Sequence, residues 1–449
     1  MQSPFLYFTD AVLRAPTIGC MLMCLSAALI GVIVVLRKQS LVGEALSHAA
    51  YPGVVFGVMA AGFLGFGEEQ MSLLAFLIML FAFLSALFGL FCIHWLVSKF
   101  KIKPDSALCF ILSSFFGIGL LLASEVQFSH SALYRQIQSY LYGQAATMTD
   151  RHILIYGILS LVCLLAIILF YKEIQTLSFD MEYAKSLGLN AQAVNFLLFF
   201  LIALAVVIGI RSVGVVLMSA MLIAPAVAAR QYTNKLSFMF VLSAFFGLLS
   251  GFLGNYFSVE ITASLAKSYK GERLVLPTGP MIVMMAAIIC LFSLCFSKER
   301  GWLVRLLRIG CFRYRCVSEN LLKAIWRFSY ANKTALVSFD AIEKYQSLNP
   351  FYLRFLLFRL IRKGFLEKEE DHYKLTKEGI LKAEKIIRLH RLWEVYLVNY
   401  LGVGVEKVHR SAEEMEHIIT PEIELELIAL LKDPKEDPHH QPIPPKTSI

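Results

Sequence analysis

Two stretches of this 449-residue chain set metal-type side chains at helical spacing. In Leu41-Val-Gly-Glu-Ala-Leu-Ser-His-Ala-Ala-Tyr-Pro-Gly53, Glu44 and His48 are four residues apart and share one helix face, with Pro52 set to kink it. A carboxylate and an imidazole one turn apart, in otherwise apolar sequence, suit a divalent cation, because either left without a partner in hydrocarbon costs several kcal/mol. The alternative is that Glu44 reaches for water from the helix end while His48 bonds a neighbouring helix. In the second stretch His390 and Glu394 are four apart, and after Gly402 comes His409, followed by Glu413, Glu416 and His417. The last three are spaced i, i+3 and i+4, which predicts three ligands converging on one helical face, although acidic helices also produce such clusters by chance.

Other chemistry is missing from the sequence. No Gly-x-x-x-x-Gly-Lys-Ser/Thr loop is present, so the chain has no phosphate cradle with which to hydrolyse ATP, and nothing in it points to an enzyme. The nine cysteines lie mostly in apolar runs without a Cys-x-x-Cys pair and read as reduced packing residues, not as a disulfide framework or zinc site. His94, in Cys92-Ile-His-Trp95, reads as interfacial, and the N-terminus lacks the pattern of a removed signal peptide.

The elements that carry these residues follow from composition. Residues 1–297 hold 28 Asp, Glu, Lys and Arg (9%), whereas residues 298–449 hold 47 (31%), so an all-α polytopic membrane domain is joined to a soluble part. Apolar stretches of spanning length fall near 15–36, 41–63, 71–97, 107–124, 151–171, 193–210, 213–230, 236–257 and 279–297, about nine spans. The pair around Arg211 is the tightest. A cytoplasmic C-terminus puts Arg37, Lys38, Lys99, Lys101, Lys103, Lys172, Lys185, Arg230, Lys235, Lys298 and Arg300 inside and Glu68 and Glu69 outside. The loop 258–277, with Lys267, Lys270 and Arg273, is the exception. Between the fifth and sixth spans, residues 178–190 form a polar helical segment ending in Gly188, suited to docking a partner or serving as a plain connector.

The soluble part divides by charge. Residues 298–391 carry 21 basic and 10 acidic side chains, and residues 392–449 carry 5 and 11. Residues 298–316 form a basic linker expected to lie on an anionic leaflet, exposed and without a fold of its own. Residues 317–388 then run helix, helix, basic helix, acidic-turned hairpin and helix, the order of a winged helix-turn-helix. The basic helix holds Arg354, Arg359, Arg362 and Lys363, placed to enter a DNA groove unless the charges simply solvate it. Residues 389–449 carry the second ligand stretch and a proline-rich tail. Ile418, Ile423, Leu425, Leu427, Ile428 and Leu431 offer an apolar seam for a dimer.

Four motifs in residues 10–297 resemble, in order, the permeases of manganese, zinc and iron ABC importers: Leu41 to Gly53, Asp180 to Asn190, Ser212 to Arg230 and Leu276-Pro-Thr-Gly-Pro280. The resemblance implies that Glu44 and His48 line the path of transported Mn²⁺, Fe²⁺ or Zn²⁺. It makes the loop with Ala184, Gly188 and Asn190 the coupling helix for a cytoplasmic ATP-binding subunit. It further implies a second permease subunit, an extracytoplasmic metal-binding protein and a bacterial inner membrane. Many relatives have Asp where this chain has Glu44, so the carboxylate reaches one methylene further.

Residues 317 to about 445 resemble the diphtheria-toxin-repressor family, most closely in Arg388 to Glu394, Lys407 to His409, Met415 to His417 and Lys432 to Pro444. The resemblance implies a regulatory metal site at Glu413, Glu416 and His417 with Asn320, an ancillary site at His390, Glu394 and His409, a dimer, and operator DNA as partner. Glu413 stands where iron-sensing relatives have cysteine, and hard oxygen ligands suit Mn²⁺ or Fe²⁺ as corepressor. Asn320 replaces a methionine or aspartate, and the third, SH3-like domain is missing. The whole resembles chlamydial fusions of a metal permease with such a repressor. A DNA-bound dimer tethered beneath a permease is sterically costly, which predicts proteolytic release within 298–317. The competing reading is a membrane-anchored regulator that does not transport; an ion-driven carrier would need inverted repeats, which are not detected.

Overall fold

The computed structural model describes residues 3–63, 71–129, 131–268, 276–332, 334–346 and 348–445; Glu68, Glu69, Lys270 and Arg273 lie outside them. The chain forms two compact units, Met1–Val304 and Arg305–Ile449.

The first unit is helical: α1 (Leu6–Thr9), α2 (Arg14–Leu36), α3 (Ser40–Phe63), α4 (Met71–Phe100), α5 (Pro104–Ser129), α6 (Ser131–Tyr142), α7 (Asp150–Leu169), α8 (Tyr171–Phe179), α9 (Met181–Ser186), α10 (Ala191–Val213), α11 (Met218–Arg230), α12 (Leu236–Ser268) and α13 (Thr278–Phe296). Among the described residues eight helices, α2 to α5, α7, α10, α12 and α13, are long and apolar enough to cross a membrane. The expected ninth span is corrected. Gly214, at φ 97°, ends α10, and the helix that follows has 13 residues, about 20 Å at ~1.5 Å per residue against the ~30 Å of a bilayer core. A side chain at Gly214 would collide with the backbone of Leu141 and Tyr142, so the break is built into the contact with the end of α6. Short as it is, α11 is deeply packed: a Cβ on Gly31 of α2 would lie 1.7 Å from the Leu222 carbonyl oxygen.

α2 and α3 are the most buried spanning helices, through runs of Ala, Gly, Ser and Val that let neighbours approach closely. α4 and α7 instead turn large apolar side chains outward, among them Phe88, Phe91, Leu161 and Leu165, the surface that hydrocarbon would cover.

The second unit continues α14 (Trp302–Asn332) through β1 (Val337–Ser338), α15 (Phe339–Gln346), α16 (Pro350–Arg362), β2 (Leu366–Glu369), β3 (His372–Leu375), α17 (Lys377–Leu401), α18 (Val405–Met415) and α19 (Pro421–Leu431). The sheet order is β1-β3-β2, antiparallel, with Leu366 opposite Leu375 and the hairpin turning at Glu370. Leu321, Ile325, Ile342, Leu353, Leu357 and Leu366 form the core of this winged helical module. Local capping agrees with the sequence: Asn349 Oδ1 accepts from Phe351 N at 2.9 Å, Thr376 Oγ1 from Gly379 N at 3.1 Å, and Gly402 closes α17 in the left-handed conformation.

The linker expected to lack a fold is also corrected. From Trp302 it belongs to α14, a helix of 31 residues, because Leu303, Leu306, Leu307 and Phe312 alternate with arginines at helical period and no proline interrupts them. Only residues 297–301 between α13 and α14 are non-helical.

Candidate metal centres and docking surfaces

Glu44 and His48 lie on α3 as their spacing requires, Glu44 half-buried and His48 7% exposed. The His48 ring stands edge-on to Phe116 of α5, centroids 4.5 Å apart, and its Nδ1 is buried with no hydrogen-bond partner among the described residues. Nδ1 therefore makes no bond to a neighbouring helix among the described residues. A buried imidazole nitrogen left open is costly unless a cation or water completes it, which fits a ligand better than a packing histidine.

In the α8–α9 loop, Asp180 caps α9 by accepting from Glu182 N at 3.0 Å and Tyr183 N at 2.9 Å. The three expected coupling residues shape this loop from within. Ala184 is fully buried in a core with Ile174, Leu177 and Leu198, Gly188 turns the chain at φ 75°, and Asn190 caps α10 through Ala193 N at 3.1 Å. The exposed apolar side chains are Phe179, Met181, Tyr183 and Leu187, which sequence reading passed over although their apolar character inside a polar loop was visible.

In the second unit, α17 holds His390 and Glu394 and α18 holds His409. His390 Nε2 lies 3.2 Å from Glu394 Oε1 and 3.0 Å from His409 Nδ1, and Glu394 Oε1 lies 3.0 Å from the same His409 nitrogen. Three ligand atoms of types suited to Mn²⁺ or Fe²⁺ therefore meet at one point, and this is the one such His, Cys, Asp and Glu cluster among the described residues. His390 Nδ1, on the far side of the ring, lies 2.5 Å from Glu416 Oε2.

The structure does not bring Glu413, Glu416 and His417 to one point, and α18 ends at Met415 with Glu416 as its C-cap. Glu413 stays with the first cluster, 3.6 Å from His409 Nε2, while Glu416 and His417 turn toward α14. There Lys323 Nζ sits 2.5 Å from Glu416 Oε1, and His417 is held by Glu319 at Nδ1 (2.7 Å) and Asn320 at Nε2 (3.2 Å). Lys382 and Arg315 add bonds to Glu319 at 3.1 and 3.2 Å.

The electrostatics follow from these partners. Burial raises the Glu319 carboxyl, but hydrogen bonds from His417, Lys382 and Arg315 prevail and bring it to about 2. Burial likewise opposes ionisation of Glu416, yet His390 and Lys323 hold its pKa below the ordinary value. For His390, burial disfavours the charge and the Glu394 and Glu416 carboxylates outweigh it, so its pKa is raised. Glu319, Lys323 and Lys382 escaped sequence reading because the pairs Lys382–Glu319, Lys323–Glu416 and Glu319–His417 span 63, 93 and 98 residues and only the fold unites them.

The three-ligand cluster opens into a cavity of about 440 Å³ whose wall also includes Arg327, Arg391, Asp437, His439 and Gln441. Arg391, beside His390 on α17, pins the tail there: its Nε lies 3.2 Å from Asp437 Oδ2 and it donates to the Pro442 carbonyl. Asp437 Oδ1 in turn accepts from His439 N and Gln441 N, each at 2.8 Å, fixing the turn that brings His439 to the cavity.

On α16, Arg354, Arg359, Arg362 and Lys363 are all exposed, but they are not equally free. Arg354 stacks over Phe339 and Lys363 over Tyr314, each 5.4 Å from the ring centroid. Phe351, Phe355 and Phe358 share the outward face with Arg362.

Eight apolar helices, one of them carrying the half-buried Glu44 and the buried His48, followed by a winged helical module with a His390, Glu394 and His409 cluster that could hold a metal ion, define a polytopic membrane transport protein joined to a second, repressor-like module. The chain belongs to the ABC 3 transport family, whose model matches residues 9–297. Residues 376–445 match the metal binding and dimerisation domain of iron dependent repressors. Over 98% of both chains it is 40% identical to a probable metal transport system membrane protein of Chlamydia pneumoniae and 37% identical to one of Chlamydia trachomatis. A manganese transport system membrane protein of Bacillus subtilis is 35% identical over 86% of this chain and 84% of its own. Among solved structures, PsaBC from Streptococcus pneumoniae in complex with a Fab is 26% identical, at a TM-score of 0.56, covering 68% of this chain and 98% of that one.

Proposed function

We propose that the first unit is the permease through which a divalent metal, Mn²⁺, Fe²⁺ or Zn²⁺, crosses the bacterial inner membrane, and that the second is a cytoplasmic, metal-dependent repressor of metal uptake. Supporting the metal path are Glu44 and the open Nδ1 of His48 on α3, one of the two most buried spanning helices. The observation that carries the regulatory reading is the convergence of His390, Glu394 and His409. An ion bound there would be held by these three, with His439 of the pinned tail facing the same cavity, and it would supply the charge that locks α17, α18 and the tail together.

A separate ATP-binding subunit drives transport, alongside a second permease subunit and an extracytoplasmic metal-binding protein. The surface offered to the ATP-binding subunit is the exposed apolar set on α8–α9. Replacing Tyr183 and Leu187 by aspartate should abolish metal-stimulated ATP hydrolysis in the reconstituted complex while the permease still folds, since neither side chain enters the core. Normal coupling in that variant would make the loop a connector.

The winged module presents α16 to operator DNA as a dimer. Binding by the full chain should require Mn²⁺ or Fe²⁺ and disappear with chelator. Arg362→Ala should weaken it and reduce the salt slope by about one, as loss of a phosphate contact does. Metal-independent binding at physiological salt would contradict the assignment. Release of the repressor by proteolysis moves, with α14 helical, to the non-helical residues 297–301, where Lys298, Glu299 and Arg300 are exposed. An antibody to the C-terminal unit that detected full-length chain alone, with the operator occupied, would show that the tethered form reads DNA.

A further inference from the structure

The sequence promises two metal sites in the second unit, but the two candidate clusters differ in what their ligand atoms already hold. At the expected regulatory site, Glu416 Oε1 and Asn320 Oδ1 do approach His417 Nε2, at 3.5 and 3.2 Å. The cation they surround is part of the protein, however: Lys323 Nζ is 2.5 Å from Glu416 Oε1, and Lys323 and Glu416 are 4% and 2% exposed. The other oxygen of Glu416 is taken by His390 Nδ1, and the other nitrogen of His417 by Glu319 Oε2. No atom of Glu416 or His417 that could bind a metal is left without a protein partner.

At His390, Glu394 and His409 the ligand atoms face one another, with no lysine between them. A histidine that binds a metal through one ring nitrogen commonly donates the other to a carboxylate, which fixes its tautomer and ring orientation. Glu416 stands in that position toward His390: it accepts from Nδ1 and leaves Nε2 aimed at Glu394 and His409.

We propose that Lys323 supplies the positive charge at the Glu416, His417 and Asn320 cluster, that Glu416 serves to orient His390, and that the second unit therefore binds one metal ion and not two. This rests on the metal-centre reading above. Glu416 and Lys323 are then positioning residues, acting through His390. The pairing also ties α14 to α17 and α18 without metal, so an ion adds order at the α17, α18 and tail cavity and does not create the link to the winged module.

The test uses full-length protein in nanodiscs carrying Glu44→Ala and His48→Ala, so that the span contributes no ion, with Mn²⁺ stoichiometry and affinity measured by equilibrium dialysis and metal analysis. One Mn²⁺ per chain is expected. Glu416→Ala should keep that single ion but weaken it roughly 10- to 100-fold, the usual cost of losing an orienting partner. Glu416→Gln, whose amide oxygen still accepts from His390 Nδ1, should recover most of the loss. Lys323→Met should weaken the same site, and combining it with Glu416→Ala should add nothing further. Two ions per chain, one of them lost in Glu416→Ala while the other keeps full affinity, would overturn the proposal, as would additive losses in the double variant. A single ion indifferent to His409→Ala would instead overturn the underlying metal-centre reading, and this inference with it.

Discussion

Changing Glu44 and His48 together to alanine should reduce ATP-dependent uptake of Mn²⁺, Fe²⁺ or Zn²⁺ to the background of empty vesicles, with the protein still present in the membrane. The two side chains supply the paired carboxylate and imidazole within a spanning helix, and His48 Nδ1 has no hydrogen-bond partner to lose among the described residues. An ion leaving water must be offered substitute ligands or meet a barrier of several kcal/mol, so removing both should be felt as loss of flux and not as a small change in affinity. Folding should survive, because α3 packs through Ala45, Leu46, Ala49, Val54 and Val58, which the variant leaves alone. Radiometal uptake into proteoliposomes containing the ATP-binding subunit is the measurement. Undiminished uptake would favour a membrane-anchored regulator whose spans no longer transport.

His409→Ala should remove the metal response of DNA binding with almost no effect on the apo protein. His409 is half-exposed at the mouth of the cavity and supplies one of three ligands, so losing it should weaken the ion by more than the roughly 10- to 100-fold cost of losing an orienting partner. Glu394→Ala should be worse in a second way. Glu394 is 2% exposed and holds both histidines, so its removal leaves the buried His390 Nε2 and the half-exposed His409 Nδ1 without the carboxylate they share. Titrating operator binding against Mn²⁺ separates the two: a rightward shift with intact folding for His409→Ala, and lowered thermal stability besides for Glu394→Ala. Metal-dependent binding unchanged in both would remove this cluster from the regulatory role.

Much of the fold could be read in one dimension. Hydropathy located the eight helices that, among the described residues, are long and apolar enough to span, since hydrocarbon imposes its length on any helix that crosses it. Caps and turns such as Asn349, Thr376 and Gly402 were equally legible, because each acts on backbone groups two or three residues away. The stretch 213–230 misled because its composition is that of a span. Its shortness comes from Gly214 meeting the backbone of residues 141–143, a contact that no local pattern announces.

The site residues divide along the same line. Spacing alone paired Glu44 with His48 and His390 with Glu394, because four residues make one helical turn wherever the helix lies. It failed for Glu413, Glu416 and His417, since the same rule assumes a helix that in fact stops at Met415. Composition and period were enough to mark the membrane half and the order of elements in the rest. Which partners the candidate ligand atoms meet was decided by packing: Lys323, 93 residues from Glu416, reaches it only when α14 lies against the turn after α18, and the other oxygen of Glu416 there meets His390.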